Sequence, residues 1–190
     1  MIPCLNESKH IAQVVKGALK HVDIVLVCDG GSTDSTAEIA ARAGASVHIN
    51  KLGLGNNLRG GLHAAADFKA DVIVLLDGDG QHNPDDIPAL IAPILAGKAD
   101  LVTGNRFVNP DMPGYRIFGN GILSGVFNLG AKSKCPDAMS GFWAIKADVI
   151  PHLSECGWGI YIELLEKART TGQRLVCEPI KPIFHEAYSN

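Results

Sequence analysis

The sequence predicts an α/β fold, a three-layer arrangement with a mostly parallel central sheet between helices. Three observations lead there. Short apolar runs alternate with stretches of helix length along the chain. Runs such as "DVIVLLD" are continuously apolar, as strands covered on both faces are. The runs end in Asp, Gly, Asn and Ser, which form turns. At 190 residues, 46% apolar and 19% charged, the chain suits a single domain over residues 1–190 that buries about 70% of its unfolded surface.

The elements follow in order. "MIPCLNES" reaches a turn soon after Pro3, so the first strand is expected to be truncated. Glu7 to His21 reads as a helix with Asn6 as N-cap and Ile11, Val14, Val15, Ala18 and Leu19 on one face. "DIVLVCDGG" is a buried strand ending in turn residues. Ser32 or Thr33 caps the next helix, "DSTAEIAARAG", which stops at Gly44. "SVHIN" is another strand. "LGLGNNLRGGLHAAADFKA" reads as a glycine-rich loop feeding a helix, and Leu58 in the third glycine position sets it apart from a dinucleotide fingerprint. "DVIVLLD" is the most apolar strand; after Pro84 comes the helix "DDIPALIAPILAG", then the strand "DLVTGNRF". Val108 to Pro136, rich in Gly, Asn and Pro, is expected to be the least regular part. "SGFWAIKADVIPHL" reads as strand then helix, "IYIELLEKARTTG" as a helix with Glu166 outward and Glu163 a candidate for the cleft, and "RLVCEPIKPI" as the last strand. Trp143 and Trp158 read as core or cleft wall.

Composition excludes several classes. The net charge is −3 with no basic stripe, which argues against nucleic acid as a partner. The apolar runs are strand-sized, far below the ~20 residues that span a bilayer, and no secretory leader is expected. Five cysteines (Cys4, Cys28, Cys135, Cys156 and Cys177), odd in number and without C-x-x-C spacing, suit reduced thiols in a cytosolic setting.

The chemistry is concentrated in "LLDGDGQHNPDDI". In sheets of this kind ligands bind beyond the carboxyl ends of the strands, and Asp29, Asp77 and Asp79 all stand at such ends. At ~4 Å and an effective dielectric of about 20, the charges of Asp77 and Asp79 repel by roughly 4 kcal/mol. Solvent, a shared proton or a cation must offset this. Asp34, Asp85 and Asp86 read more simply as turn or cap residues, and His82 as a turn residue. An EF-hand loop counted from Asp77 fails, because His82 and Pro88 occupy its glycine and glutamate positions. An aspartyl-phosphate phosphatase also carries Asp-x-Asp after an apolar strand, but Gln81 departs from its pattern. The third reading is a divalent cation held against a nucleoside diphosphate, with Asp77, Asp79 and Gln81 offering oxygens.

The segments "IPCLNES", "VCDGGSTDST", "LGLGNNLRGGLHAA", "LLDGDGQHNPDDI", "VTGNRF" and "DAMSGFWAI" occur in an order that resembles the family 2 glycosyltransferases with the GT-A (Rossmann-like) fold. The branch it resembles most is that of dolichol-phosphate mannosyltransferase and related polyprenyl-phosphate sugar transferases. The resemblance implies a nucleotide-sugar donor (UDP- or GDP-linked), Mg2+ or Mn2+, and a lipid-phosphate acceptor. It also implies a cytoplasmic protein, peripheral at the membrane face, and leaves homo-oligomer formation open. By position it assigns Pro3, Asn6, Glu7, Asp29 and Asp77 to the nucleotide, and Asp77, Asp79 and Gln81 to the metal and diphosphate. Asp137, Arg106 and Arg116 fall at the acceptor side, and Asp79, Asp137, Arg106 and Arg116 form the expected catalytic set.

The same chemistry needs little covalent help. A cation stabilises charge on the departing diphosphate while the sugar becomes oxocarbenium-like. An ionised phosphate acceptor needs positioning by Arg106 and Arg116; a hydroxyl acceptor needs a base, for which Asp137 is the candidate. Inversion at the anomeric carbon is implied by the resemblance. All of this requires acidic side chains from separate stretches to meet around one ion at a shared cleft. Two departures bear on activity: Gly30 replaces the second Asp of the usual Asp-Asp-Gly-Ser, and "FHEAYSN" keeps Ser189 but not the usual Arg, with His185 nearby. They make a non-catalytic nucleotide-sugar-binding remnant the alternative.

Overall fold

The computed structural model describes residues 1–50, 53–108, 114–129, 131, 133–152 and 159–183 of the 190. Seven strands are present among them: β1 (Ile2–Cys4), β2 (Leu26–Asp29), β3 (Ser46–Ile49), β4 (Val72–Leu75), β5 (Leu101–Asn105), β6 (Trp143–Lys146) and β7 (Leu175–Pro179). The helices are α1 (Ile11–Ala18), α2 (Thr36–Arg42), α3 (Gly53–Asp67), α4 (Ile87–Leu95), α5 (Gly114–Phe127) and α6 (Gly159–Thr170).

One ladder runs β1-β2-β3, all parallel; the other runs β4-β6-β5-β7. Within the second, β6 is antiparallel to both neighbours, while β5 and β7 are parallel. The ladders join where Met1 N donates to Val74 O (2.6 Å) and Leu76 N donates to Met1 O (3.1 Å). The resulting order is β3-β2-β1-β4-β6-β5-β7, with β6 alone reversed, so the expected mostly parallel sheet is present.

The pleat explains the two cores, because successive side chains leave a strand on opposite faces. Leu26, Cys28, Ile73 and Leu75 pack with Leu58, Leu62, Trp143, Tyr161 and Leu164 under α3 and α6. Val25, Val27, Val74 and Leu76 pack with Ile11, Val15, Ile87, Leu90 and Ile94 under α1, α2 and α4. α3 approaches β2 so closely that a Cβ on Gly61 would stand 2.5 Å from Cys28 Sγ. That contact accounts for a glycine inside a helix, where it costs about 1 kcal/mol relative to Ala.

Several local expectations are corrected. The glycine-rich stretch is itself helical: α3 begins at Gly53. Asn6 is no N-cap but sits at φ +59°, a left-handed turn position that Asn tolerates; α1 follows only at Ile11, although Ile11 N already donates to Glu7 O. Neither Ser32 nor Thr33 caps α2. Asp34 does so, its Oδ1 accepting from Thr36 N at 3.0 Å. The middle expected to be irregular carries α5, whose glycines and outward apolar residues conceal a helical period. Trp143 is fully buried and stacks on Tyr161; Trp158 lies outside the described residues.

Candidate active site

Two loops form one pad at the carboxyl rim of β1 and β2. Asn6 N donates to Ser32 Oγ (2.9 Å), and Asn6 Oδ1 accepts from Thr33 N (2.9 Å). Glu7 N donates to Thr36 Oγ1 (2.8 Å) and Ser8 N to Asp34 Oδ2 (3.2 Å). "NES" and "STDST" are thus halves of one hydrogen-bonded platform. Asp34 also accepts from the Thr36 hydroxyl, and that bond, with those from Ser8, holds its carboxyl down at about 2. Glu7 is pushed up, by burial first and then by Asp79 and Asp34. Asp29, buried at the end of β2, accepts from Gly31 N (2.9 Å) and Ser32 N (2.7 Å) with its Oδ1. Gly30 N donates to Cys4 O, extending the β1–β2 ladder.

Pro3 is buried in β1, opposite Cys28. Met1 spends its backbone groups on β4, and by the two-residue alternation Pro3 faces the same neighbour with no N–H to give. β4 ends at Leu75, and the chain turns into Asp77-Gly78-Asp79. Asp79 Oδ1 caps this turn, accepting from Gln81 N at 2.9 Å. Asp77 keeps 30% of its side chain accessible, so the pair opens to solvent at the rim. Its carboxyl is pushed up to about 7, by burial first and then by Asp79, against the pull of Arg106.

Two residues that the sequence reading left aside shape this carboxylate. His82 is buried, stacks on Phe142 with ring centroids 5.1 Å apart, and places Nδ1 3.6 Å from Asp77 Oδ2. Asp77 N donates to the same nitrogen at 3.4 Å. Burial first, then Arg106, lowers the His82 pKa to about 3, so the ring is neutral. Gly141 is the other: a Cβ there would lie 2.6 Å from Asp77 Oδ2. The "SGF" glycine is where that room is made, a signal present in the sequence but visible only once β6 lies beside β4.

Arg106 and Asp137 are brought together rather than left as separate groups. Arg106 Nε and Nη2 donate to Asp137 Oδ2 (2.7 Å) and Oδ1 (2.8 Å), and Arg106 N donates to Oδ2 at 3.1 Å. Asp137 is fully buried. Both carboxylate oxygens are engaged, so Asp137 as it stands holds Arg106 rather than offering itself as a free base. Arg106 in turn bears electrostatically on Asp77 and His82, which ties the end of β5 to the end of β4. α5 carries Arg116, whose side chain lies outside the described residues, as do Ser189 and His185. Glu163 lies 3.9 Å from Lys167 Nζ, and Glu166, turned outward, accepts from Arg169.

The donors suit a hard cation. Two carboxylates crowd one short turn, with excess negative charge that a divalent ion would neutralise. They do not form a complete cage. Among the described residues no three His, Cys, Asp or Glu side chains converge on one point. Asp29 stands two strand spacings from Asp77, roughly 10 Å. Acidic groups from separate stretches therefore share a rim. An ion at Asp77 and Asp79 would take its remaining ligands from substrate phosphate and water, as Mg2+ does in nucleotide sites. A cavity of about 400 Å3 lies at the other end of the sheet, lined by Ile24, Val25, Ala70 and Val72 among others, and contains none of these side chains.

A mostly parallel sheet, helices on both faces and acidic turns at one rim define the GT-A class of α/β enzymes. A crystal structure of glucosyl-3-phosphoglycerate synthase from Mycobacterium tuberculosis in complex with Mn2+ and UDP-glucose has this fold. It matches with a TM-score of 0.77 at 24% identity, covering 97% of this chain and 70% of that one. The sequence profile of Glycosyl transferase family 2 matches residues 1–167; the chain belongs to that family and is a glycosyltransferase. It is 32% identical to a UDP-N-acetylglucosamine–dolichyl-phosphate N-acetylglucosaminyltransferase of Methanococcus voltae over 82% of this chain and 71% of that protein. It is 31% identical to an uncharacterised protein of Methanocaldococcus jannaschii over 98% and 81% respectively.

Proposed function

We propose that this glycosyltransferase moves a sugar from a UDP- or GDP-linked donor to a polyprenyl or dolichyl phosphate, with inversion and with Mg2+ or Mn2+ bound at Asp77 and Asp79. The observation that carries the reading is the Asp77–Asp79 turn, open at the rim beside Arg106, in a chain similar to a dolichyl-phosphate transferase.

The platform of Asn6, Glu7 and Asp29 faces the nucleoside, with Pro3 on the nucleotide side of the same rim. The cation supplies charge neutralisation on the diphosphate. Gln81 orients Asp79 through its backbone N–H, with its side-chain amide a further oxygen donor. Arg106, held in a fork by Asp137, and Arg116 orient the acceptor phosphate. An acceptor oxygen attacks the anomeric carbon, a new C–O bond forms, and the electron pair of the old C–O bond leaves with the nucleoside diphosphate. No general base is required, because the attacking phosphate is already ionised. This suits an Asp137 whose oxygens are occupied.

Calorimetric titration with UDP and GDP, with and without Mn2+, followed by radiolabelled transfer to a polyprenyl phosphate, tests this. Binding of one nucleotide that requires Mn2+, and transfer abolished in Asp79→Ala, are the expected results. Unchanged turnover in Asp79→Ala would overturn the mechanism. Binding without transfer to any polyprenyl phosphate would make the chain a binding remnant or direct it to another acceptor.

A further inference from the structure

Two thiols meet at the base of the loop that carries Asp137. Cys135 is fully buried two residues before Asp137, and Cys177 lies half-buried in β7. Both are free thiols and they pack in one cluster. Cys177 Sγ donates to Lys134 O at 3.7 Å, which sets it against the residue that precedes Cys135. The Cys135 S–H donates in turn to the Cys177 sulfur.

The two sulfurs are unequal. Cys177 keeps solvent access, whereas Cys135 has none. The hydrogen bond from Cys135 favours the Cys177 thiolate and holds that thiol below its ordinary pKa; the same bond, then burial, pushes Cys135 up. Thr103 stands by as a second donor. It is the partner of Cys177 in the β5–β7 ladder, one strand spacing of about 4.8 Å away on the same face. Its Oγ1 is buried with no hydrogen-bond partner. Buried polar groups are rarely left unpaired, and redox sites are among the exceptions. An accessible, acidified thiol backed by a buried one is the arrangement of an attacking and a resolving cysteine.

We propose that Cys135 and Cys177 are a reversible redox modification site, oxidised to an intramolecular disulfide by small-molecule disulfides. The Cys177 thiolate attacks one sulfur of the oxidant and expels a thiolate, which leaves a mixed disulfide. Cys135 loses its proton and attacks the Cys177 sulfur, so the Cys135–Cys177 bond forms and a second small thiolate departs. Two protein thiols are oxidised, one disulfide is reduced, and the protons of Cys135 and Cys177 end on the two released thiols.

The loop is placed to feel this bond. Asn128 grips Cys135, its Nδ2 donating to Cys135 O (3.0 Å) and its Oδ1 accepting from Cys135 N (2.8 Å). Ser124 Oγ accepts from Ala138 N (2.9 Å). Asp137 lies between these anchors and holds Arg106 by three bonds, the longest from Arg106 N at 3.1 Å. A covalent bond where a hydrogen bond stood brings the sulfurs closer and draws Cys135 toward β7. Oxidation therefore loosens the Arg106–Asp137 fork.

Equilibration of the reduced full chain with mixtures of reduced and oxidised glutathione tests this, with thiol counting and mass-spectrometric mapping. The expected result is loss of two thiols, a cross-link between tryptic peptides 135–146 and 175–190, and full reversal by dithiothreitol. Cys177→Ser is expected to abolish the cross-link and Cys156→Ser to leave it. If Cys177→Ser alters the melting curve, Cys135→Ala serves: glutathione should then stop on Cys177 as a mixed disulfide. Amide exchange at Arg106 is expected to quicken at least roughly tenfold in the oxidised chain. A chain that keeps all its thiols, a parent whose end product is the mixed disulfide, or a cross-link that survives Cys177→Ser would overturn the proposal. A cross-link with unchanged Arg106 exchange would overturn the coupling to the fork. None of these readouts uses a sugar donor or acceptor, so their failure leaves the proposed transfer standing.

Discussion

Strand β5 is bracketed by two arginine–aspartate forks with the same bonding pattern. At its start, Arg174 N, Nε and Nη2 donate to Asp100 Oδ2, Oδ2 and Oδ1, all at 2.9 Å. At its end, Arg106 N, Nε and Nη2 donate to the same three positions of Asp137, at 3.1, 2.7 and 2.8 Å. Their surroundings differ. Arg174 is 53% exposed and spends Nη1 on Gly97 O, so it pins the start of β7 to the α4–β5 turn. Asp137 has no exposure and its arginine bears on Asp77. One chemistry thus serves two ends of a strand: a clip in solvent at the amino end, and a buried charge pair beside the acidic turn at the carboxyl end. Geometry alone does not separate the functional fork from the structural one; burial and the neighbouring charge do.

Removing each arginine breaks the comparison most sharply. Arg106→Ala leaves a buried carboxylate without its partner, which costs about 3–5 kcal/mol; Arg174→Ala removes a half-exposed pair screened by water and salt, and should cost clearly less. Urea unfolding reads the two costs, and a transfer assay should show turnover lost in Arg106→Ala and kept in Arg174→Ala. Equal costs would mean that burial does not distinguish the forks.

The next effect is on the carboxylate that Arg106 faces. Gly141→Ala puts a methyl 2.6 Å from Asp77 Oδ2, so either the backbone shifts, at about 1–3 kcal/mol, or Asp77 leaves its position. Mn2+-dependent nucleotide binding is expected to weaken by roughly tenfold, the equivalent of about 1.4 kcal/mol. Gly97→Ala at the amino end tests the contrast: its φ of +64° makes a side chain strained, yet nothing lies within 4 Å, so stability should fall while nucleotide affinity holds. Affinity unchanged in Gly141→Ala would remove Gly141 from the site.

How far this was legible in the sequence depends on whether a signal is local. The apolar strands and the Asp77–Asp79 turn are local, written in run length and in turn residues, and both were readable. Pairings across the sheet were not. Nothing in "GNRF" or "DAMSGF" says that Arg106 and Asp137, 31 residues apart, close on each other; that requires β6 to insert antiparallel between β4 and β5. His82 resembles any turn residue until Phe142 covers it. α5 was hidden for another reason: its apolar residues face outward and its glycines dilute the period, so the pattern that marks a helix packed on a core is absent. Asn6 left its expected cap position because the loops after β1 and β2 bond to each other, Asn6 Oδ1 accepting from Thr33 N.

The smallest effect concerns the solvent-exposed fork and its dependence on pH. Asp100 is held down at about 2, first by the hydrogen bond from Arg174, against an ordinary value of 3.8. A carboxyl whose folded pKa lies below its unfolded one contributes stability above the unfolded value and loses it as pH falls through the folded value. The melting temperature of the parent should therefore exceed that of Asp100→Asn at neutral pH by the equivalent of less than about 1 kcal/mol, since the exposed guanidinium is screened by water and salt. The gap should narrow as pH falls through 3.8 and be lost below about pH 2, and added salt should narrow it wherever Asp100 is charged. A gap that persists unchanged at the acid end would show that Asp100 acts through the shape of its turn rather than its charge, and the two forks would then differ in kind as well as in burial.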